Sequence, residues 1–210
     1  MNPQDLPNAL RYAEEQEART SRIREPHVAP LNELVDRIRK ERGPDYHIPY
    51  FDPCDGGIHA KILILMEAPG PKAIGPKAGG SGFVSRNNPD PTASNLCKIL
   101  QEADIPRSET VLWNVVPWYL GDGDKIQTAT PKHLKEAGAD LEALLVLLPQ
   151  VEVVVLLGKK AQAGYKALKP AKGLTIFCAP HPSAQVINVR PASRGRIVAE
   201  FGKAKQQIRR

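Results

Sequence analysis

Apolar positions along the chain fall into two rhythms. Four short runs are almost continuous: residues 61–66 (KILILM), 111–117 (VLWNVVP), 151–157 (VEVVVLL) and 174–179 (LTIFCA). Their length and β-branched content predict strands, and the lack of alternation predicts a sheet covered on both faces, as in parallel architectures. Between them the rhythm is helical. Asp90-Pro91 offers a cap and a first turn for a stripe of Leu96, Ile99, Leu100 and Ala103, which Pro106 ends. Thr130-Pro131 opens a second stripe through Leu134, Ala137, Leu141, Leu144, Leu145 and Leu148, stopped at Pro149. Residues 159–168 and 193–208 predict two further helices. Strand alternates with helix, so the expected fold class is α/β: a three-layer αβα sandwich with a central four-stranded parallel sheet. Ahead of the first strand, residues 5–18 and 31–42 predict helices, followed by a Pro/Gly-rich connector (GPDYHIPYFDPCDGG). Residues 1–210 therefore read as a single domain, with 1–57 an N-terminal helical extension packed on it.

Composition narrows the class. The chain is 41% hydrophobic and 25% charged, an ordinary globular balance. No apolar stretch is long enough to span a bilayer, and residues 1–11 lack the apolar core of a secretory signal. Cysteines 54, 97 and 178 are too few and too widely spaced for a disulfide framework or a four-thiolate cluster within one chain. The expectation is a cytoplasmic protein with no membrane partner. The net charge of +6 is unevenly spread: from Arg190 onward there are seven basic residues and one acid, Glu200. Residues 71–89 hold Lys72, Lys77 and Arg86 and no acid. Clustered positive charge suits a polyanionic partner; the plainer reading is a solvated basic helix.

In open parallel sheets, ligands bind beyond the carboxyl ends of the strands. The first run is followed by Glu67-Ala68-Pro69-Gly70, the second contains Asn114, the third is followed by Gly158-Lys159-Lys160 and the fourth by Pro180-His181-Pro182-Ser183. Three strand ends thus offer a carboxylate, a carboxamide and an imidazole to one rim. Rival motifs fail: Pro76 stands where a phosphate loop starting at Gly70 needs lysine, and Phe83 breaks a hydrolase elbow around Ser81. Asp52, Cys54, Asp55 and His59 lack zinc spacing.

The order E-A-P-G, G-F-V-S-R, W-N-V-V-P and H-P-S resembles the uracil-DNA glycosylase superfamily, and three of these motifs are most similar to its thermophilic-type branch. The resemblance implies a DNA glycosylase that flips uracil into a pocket and hydrolyses its N-glycosidic bond, acting as a monomer on single- or double-stranded DNA containing uracil. It implies His181 and Glu67 as catalytic side chains, with His181 donating to uracil O2, where charge accumulates. Asn114 would read the Watson–Crick edge, donating to O4 and accepting from N3–H. Phe83 would stack on the base, and Ala68, Pro69, Gly70 and Ser183 would complete the substrate site. Arg86, Gln185 and Arg190 are expected to meet DNA, Gln185 at the position that wedges into the duplex. Ala68 and Gly70 stand where the best-known branch has its water-activating Asp and a bulky Tyr. Glu67, Asn87, Asn88 or a backbone carbonyl is then left to orient water, or no group does. The branch's iron–sulfur ligands are missing except for Cys54, so neither a metal nor any other cofactor is expected. Two other readings stay open: a non-catalytic binder of nucleotide or damaged DNA, and a glycosylase for another deaminated base.

Overall fold

The computed structural model describes residues 6–75, 79–121, 126–168 and 173–208. Lys77, Arg209 and Arg210, counted above among the basic residues, lie outside them. In chain order the strands are β1 (Tyr50–Phe51), β2 (Ile62–Met66), β3 (Phe83–Val84), β4 (Thr110–Asn114), β5 (Val153–Leu157) and β6 (Thr175–Ala179). The helices are α1 (Ala13–Thr20), α2 (Ala29–Arg42), α3 (Pro91–Glu102), α4 (Pro131–Glu136), α5 (Gly138–Val146), α6 (Lys159–Lys166), α7 (Ala184–Val189) and α8 (Ala192–Gln207). The main sheet is fully parallel in the order β4-β2-β5-β6, while β1 and β3 form a separate parallel pair.

The topology generates the layers. From β2 the chain crosses by α3 to β4 on one side, then returns past β2 to β5 and on by α6 to β6. Right-handed crossovers taken in opposite directions place their helices on opposite faces. Accordingly α3, α7 and α8 pack together, with α8 on β5 and β6, whereas α6 packs on β5 and β2 and joins α4, α5 and α2. The expected three-layer α/β fold is the observed one. Leu31, Val35 and Ile38 of α2 belong to the same buried cluster as the sheet. No helix among the described residues is long and apolar enough to cross a membrane.

Local differences from expectation have identifiable causes. The helix expected over 5–18 starts only at Ala13: after Asn8 (φ 62°) the chain makes a single 3-10 turn over Ala9–Arg11, and Tyr12 is extended (ψ 133°) and separates that turn from α1. The stripe from 131 to 148 is two helices, broken at Ala137 (ψ −8°) before Gly138, where the missing Cβ weakens helical preference. Strand β6 is an edge strand whose Ile176 and Cys178 are exposed, so the sheet is not covered on both faces there. Helix α7 is too short to show a period.

Behind β2 and β4 lies a buried ion network. Asp52 faces Arg19 (3.2 Å) and Arg107 (2.7 Å); Asp55 faces Arg107 (2.8 Å) and Arg86 (3.5 Å). Burial alone would push Asp52 up, but Arg107 and Arg19, with hydrogen bonds from Ser85 and the Cys54 N–H, hold it below the ordinary aspartate value. Asp55 lacks those extra donors and burial leaves it raised despite Arg107 and Arg86. Arg86, expected at DNA, is only 4% exposed and also donates to Thr110 Oγ1. It is a structural cation, because its partners lie in the interior. Asp52→Ala would leave Arg19 and Arg107 facing each other without a counter-charge. Urea denaturation is expected to show a loss of ~3–5 kcal/mol; a loss under ~1 kcal/mol would mean that water screens the network.

Candidate active site

The parallel register brings the strand ends to one rim. Met66 pairs with Asn114 across β2 and β4, and Leu157 pairs with Ala179 across β5 and β6. Beyond the strands the ladder continues: Val116 N–H donates to Glu67 O (3.0 Å) and Gly158 N–H to Ala179 O (2.9 Å). Around this rim is a cavity of about 530 Å³ lined by Glu67, Ala68, Pro69, Gly70, Asn114 and His181, with Val84, Ser85, Asn88 and the N-terminal turn of α3 forming one wall.

His181 is placed by three contacts. Gly158 has φ +91°, and a Cβ there would lie 3.1 Å from His181 Cβ, so glycine makes room for the turn after β6 to fold over the end of β5. Asn95 of α3 donates to Pro182 O (2.9 Å). Ser183 N–H donates to His181 Nδ1 (3.2 Å). An Nδ1 that accepts leaves the ring proton on Nε2. Burial lowers the imidazole pKa below its ordinary value, which also favours the neutral ring. His181 is therefore a neutral Nε2–H donor on the cavity wall.

Asn114 ends β4 at 2% exposure, and its carboxamide bonds to no described residue. An amide so enclosed ordinarily has protein partners; this one faces only the cavity. Glu67 is half-buried and its Oε1 accepts the Ala129 N–H (2.6 Å). Lys160 of α6 donates to the Ala129 carbonyl. Glu67 and Lys160 thus grip one residue from both sides and fix the segment whose Ile126, Gln127 and Thr128 line the cavity. The second Glu67 oxygen is unbonded among the described residues. Of the other candidates for orienting water, Asn87 is committed to Arg19, Arg107 and Leu6 O, and Asn88 to Ser81 and Phe83 O.

Several expected site residues lie elsewhere. Phe83 is buried but does not line the cavity: side chains alternate along β3, and Val84 takes the cavity side. Among the described lining residues no Phe, Tyr or Trp is available to stack on a base. The Ser183 hydroxyl accepts the Val186 N–H as the cap of α7, and the residue serves His181 through its backbone. Gln185 and Arg190 are exposed on and after α7, outside the cavity lining. In the basic C-terminal segment Arg194 pairs with Glu102, Lys203 with Glu200 and Lys205 with Asp104, so much of its charge is compensated. Asp90 is the cap of α3 that the sequence predicts, accepting the Ala93 N–H (2.9 Å), but sequence reading missed that it also lines the cavity, where burial pushes its carboxyl up. Sequence reading also missed the segment held by Glu67, where the contact is to backbone and leaves no residue signature.

An iron–sulfur cluster does not fit the cysteines. Cys54 lies against Arg19 and Arg22, Cys97 is buried on α3 and Cys178 is exposed on β6. Among the described residues no three His, Cys, Asp or Glu side chains converge as a metal site.

A carboxylate, an open amide and a neutral imidazole thus line one cavity at the ends of parallel strands. The family model of the uracil DNA glycosylase superfamily matches residues 53–202, most of the chain, and the chain belongs to that superfamily. No curated protein matches its sequence. Among solved structures it is similar to the wild-type SMUG2 of Pedobacter heparinus at 13% identity and TM-score 0.47, covering 87% of this chain and 84% of that one. It is similar to the wild-type UNG of Nitratifractor salsuginis at 12% identity and TM-score 0.46, covering 91% and 96% respectively.

The His181 environment sets a direction with pH. Its folded pKa is depressed, so the unfolded chain takes up the proton first as pH falls. The stability this residue contributes is complete above the ordinary imidazole value of about 6.5, declines as pH falls through it, and levels off below the folded value. Histidine NMR is expected to show His181 titrating below 6.5 from an Nε2–H tautomer; a midpoint above 6.5 would mean a cationic ring.

Proposed function

We propose that this protein is a monofunctional glycosylase that hydrolyses the N-glycosidic bond of uracil in DNA after the nucleotide is flipped from the stack into the cavity. The observation that carries the reading is the unpartnered Asn114 amide beside a neutral imidazole. An amide oxygen that accepts from N3–H and an amide N–H that donates to O4 match uracil, whereas cytosine presents the opposite pattern at both atoms.

The chemistry follows from those groups. The C1′–N1 bond breaks with its electron pair leaving on the base, and the anion spreads over N1, O2 and O4. His181 Nε2–H donates to O2 and stabilises that charge without having to lose a proton first. A neutral donor suits the step, because a cationic ring in a dry site would bring its own desolvation cost. Water adds to C1′ and gives up a proton; the unbonded Glu67 oxygen is the carboxylate available to accept it. Ala68 contributes no acid or base. The apolar walls from Val84, Leu96 and Leu120 hold the ring in place of an aromatic stack.

Two measurements test this. Asn114→Asp replaces the O4 donor with an acceptor and is expected to lower single-turnover uracil excision by at least ~10²-fold; equal rates would remove Asn114 from the site. His181→Ala is expected to lower the rate by ~10²–10³-fold. Affinity for DNA bearing a non-cleavable uracil analogue should change far less, since phosphates supply most binding. No abasic product from the unaltered protein, with His181→Ala weakening affinity instead, would identify a reader of damaged DNA.

A further inference from the structure

Some of the basic side chains that could meet DNA backbone are spent within the protein, and Arg190, exposed after α7, lies outside the cavity lining. Arg86 is sealed in the ion network, and Arg194, Lys203 and Lys205 face carboxylates. The cavity itself carries Glu67 and Asp90, which repel a polyanion. Among the described lining residues one lysine and no arginine opposes them: Lys72. It is exposed and makes no ion pair with a described residue.

Its backbone is held firmly. Ser81 N–H donates to Lys72 O (3.0 Å), Ala73 N–H to Gly70 O (3.0 Å) and Gly82 N–H to Ile74 O (2.9 Å). Ala73 and Ile74 are buried directly after it. Gly80 closes the turn so tightly that a Cβ would sit 2.1 Å from Ile74 O. On the other side, a Cβ at Gly70 would meet nothing within 4 Å, so the lining is open beside Lys72. The result is an exposed ammonium on a hydrogen-bonded backbone at the entrance to a pocket that otherwise bears negative charge.

We propose that Lys72 is the phosphate contact that seats the target strand at the cavity mouth. The assignment rests on the glycosylase reading, because it takes the cavity as the place where a nucleotide enters. A phosphate held there acts equally on ground state and transition state, so it governs KM and leaves the chemical step alone. It also offsets the repulsion from Glu67 and Asp90 at the point of entry.

The test uses the full chain and an oligonucleotide with one uracil, with a non-cleavable analogue for binding. Lys72→Ala is expected to weaken binding by ~3–10-fold at low salt and to reduce the log–log salt slope by ~0.7–0.9, the signature of one phosphate contact. The expected kcat stays within about twofold of the unaltered protein, and Lys72→Arg restores both affinity and slope. A salt slope unchanged in Lys72→Ala, or a loss confined to kcat, would overturn the assignment. The glycosylase reading fails separately, by absence of base release from the unaltered protein. The salt slope is read from binding alone and judges Lys72 in either case.

Discussion

Everything at the rim depends on the parallel register of four strands. Because all four run the same way, each ends on the same side of the sheet, and the residue after each end arrives at a common edge. The pairing of Met66 with Asn114 is what brings the E-A-P-G turn beside the amide. A slip of one residue in β4 would turn Asn114 to the opposite face and present an apolar side chain in its place. The imidazole arrives differently. It lies two residues beyond β6 and reaches the rim because Gly158 lets one backbone pass close over another, and because Asn95 of α3 holds the following proline carbonyl.

Two kinds of buried polarity sit a few residues apart in this chain. In the ion network, each carboxylate faces guanidinium groups, and the Asn87 amide beside them accepts from Arg19 and Arg107 and donates to Leu6 O. At the rim, Asn114 is equally enclosed and has no partner among the described residues. The first arrangement lowers the energy of the folded chain only when complete; the second leaves a hydrogen-bonding deficit that a ligand of the right pattern removes. The loop from Ser85 to Asn88 joins them, since Ser85 donates to Asp52 while both Ser85 and Asn88 border the cavity. The wall of the pocket is thereby anchored in the buried ion network.

The strands, α3 and the three chemical groups at the rim were legible from sequence because each has a local signature. Uninterrupted β-branched runs mark buried strands, Asp90-Pro91 marks a helix start, and polar residues directly after such runs mark strand ends. What was not legible depends on the third dimension. Whether Phe83 or Val84 faces the pocket is set by the phase of a two-residue strand against β1. Arg86 reads as a free cation until the fold brings Asp55 and Thr110 to it from two other segments. The basic tail looked unopposed in one dimension, yet Glu102 and Asp104 come to it from the end of α3.

The stretch shared with the superfamily begins at Pro53, one residue after Asp52. That line runs through the middle of the ion network. Asp55, Arg86 and Arg107 fall on the shared side; Arg19 and Asp52 fall on the other. Residues 53–202 on their own would leave two guanidinium groups with one carboxylate, so the leading segment completes the network in this chain. The leading segment also holds the loop next to the pocket wall through Leu6, Leu10 and Arg19, all bonded to Asn87. Grafting the shared core onto another leader, or trimming the chain to it, would change the inheritance of charge as well as of shape. Any swap has to carry an arginine and an aspartate across the seam together.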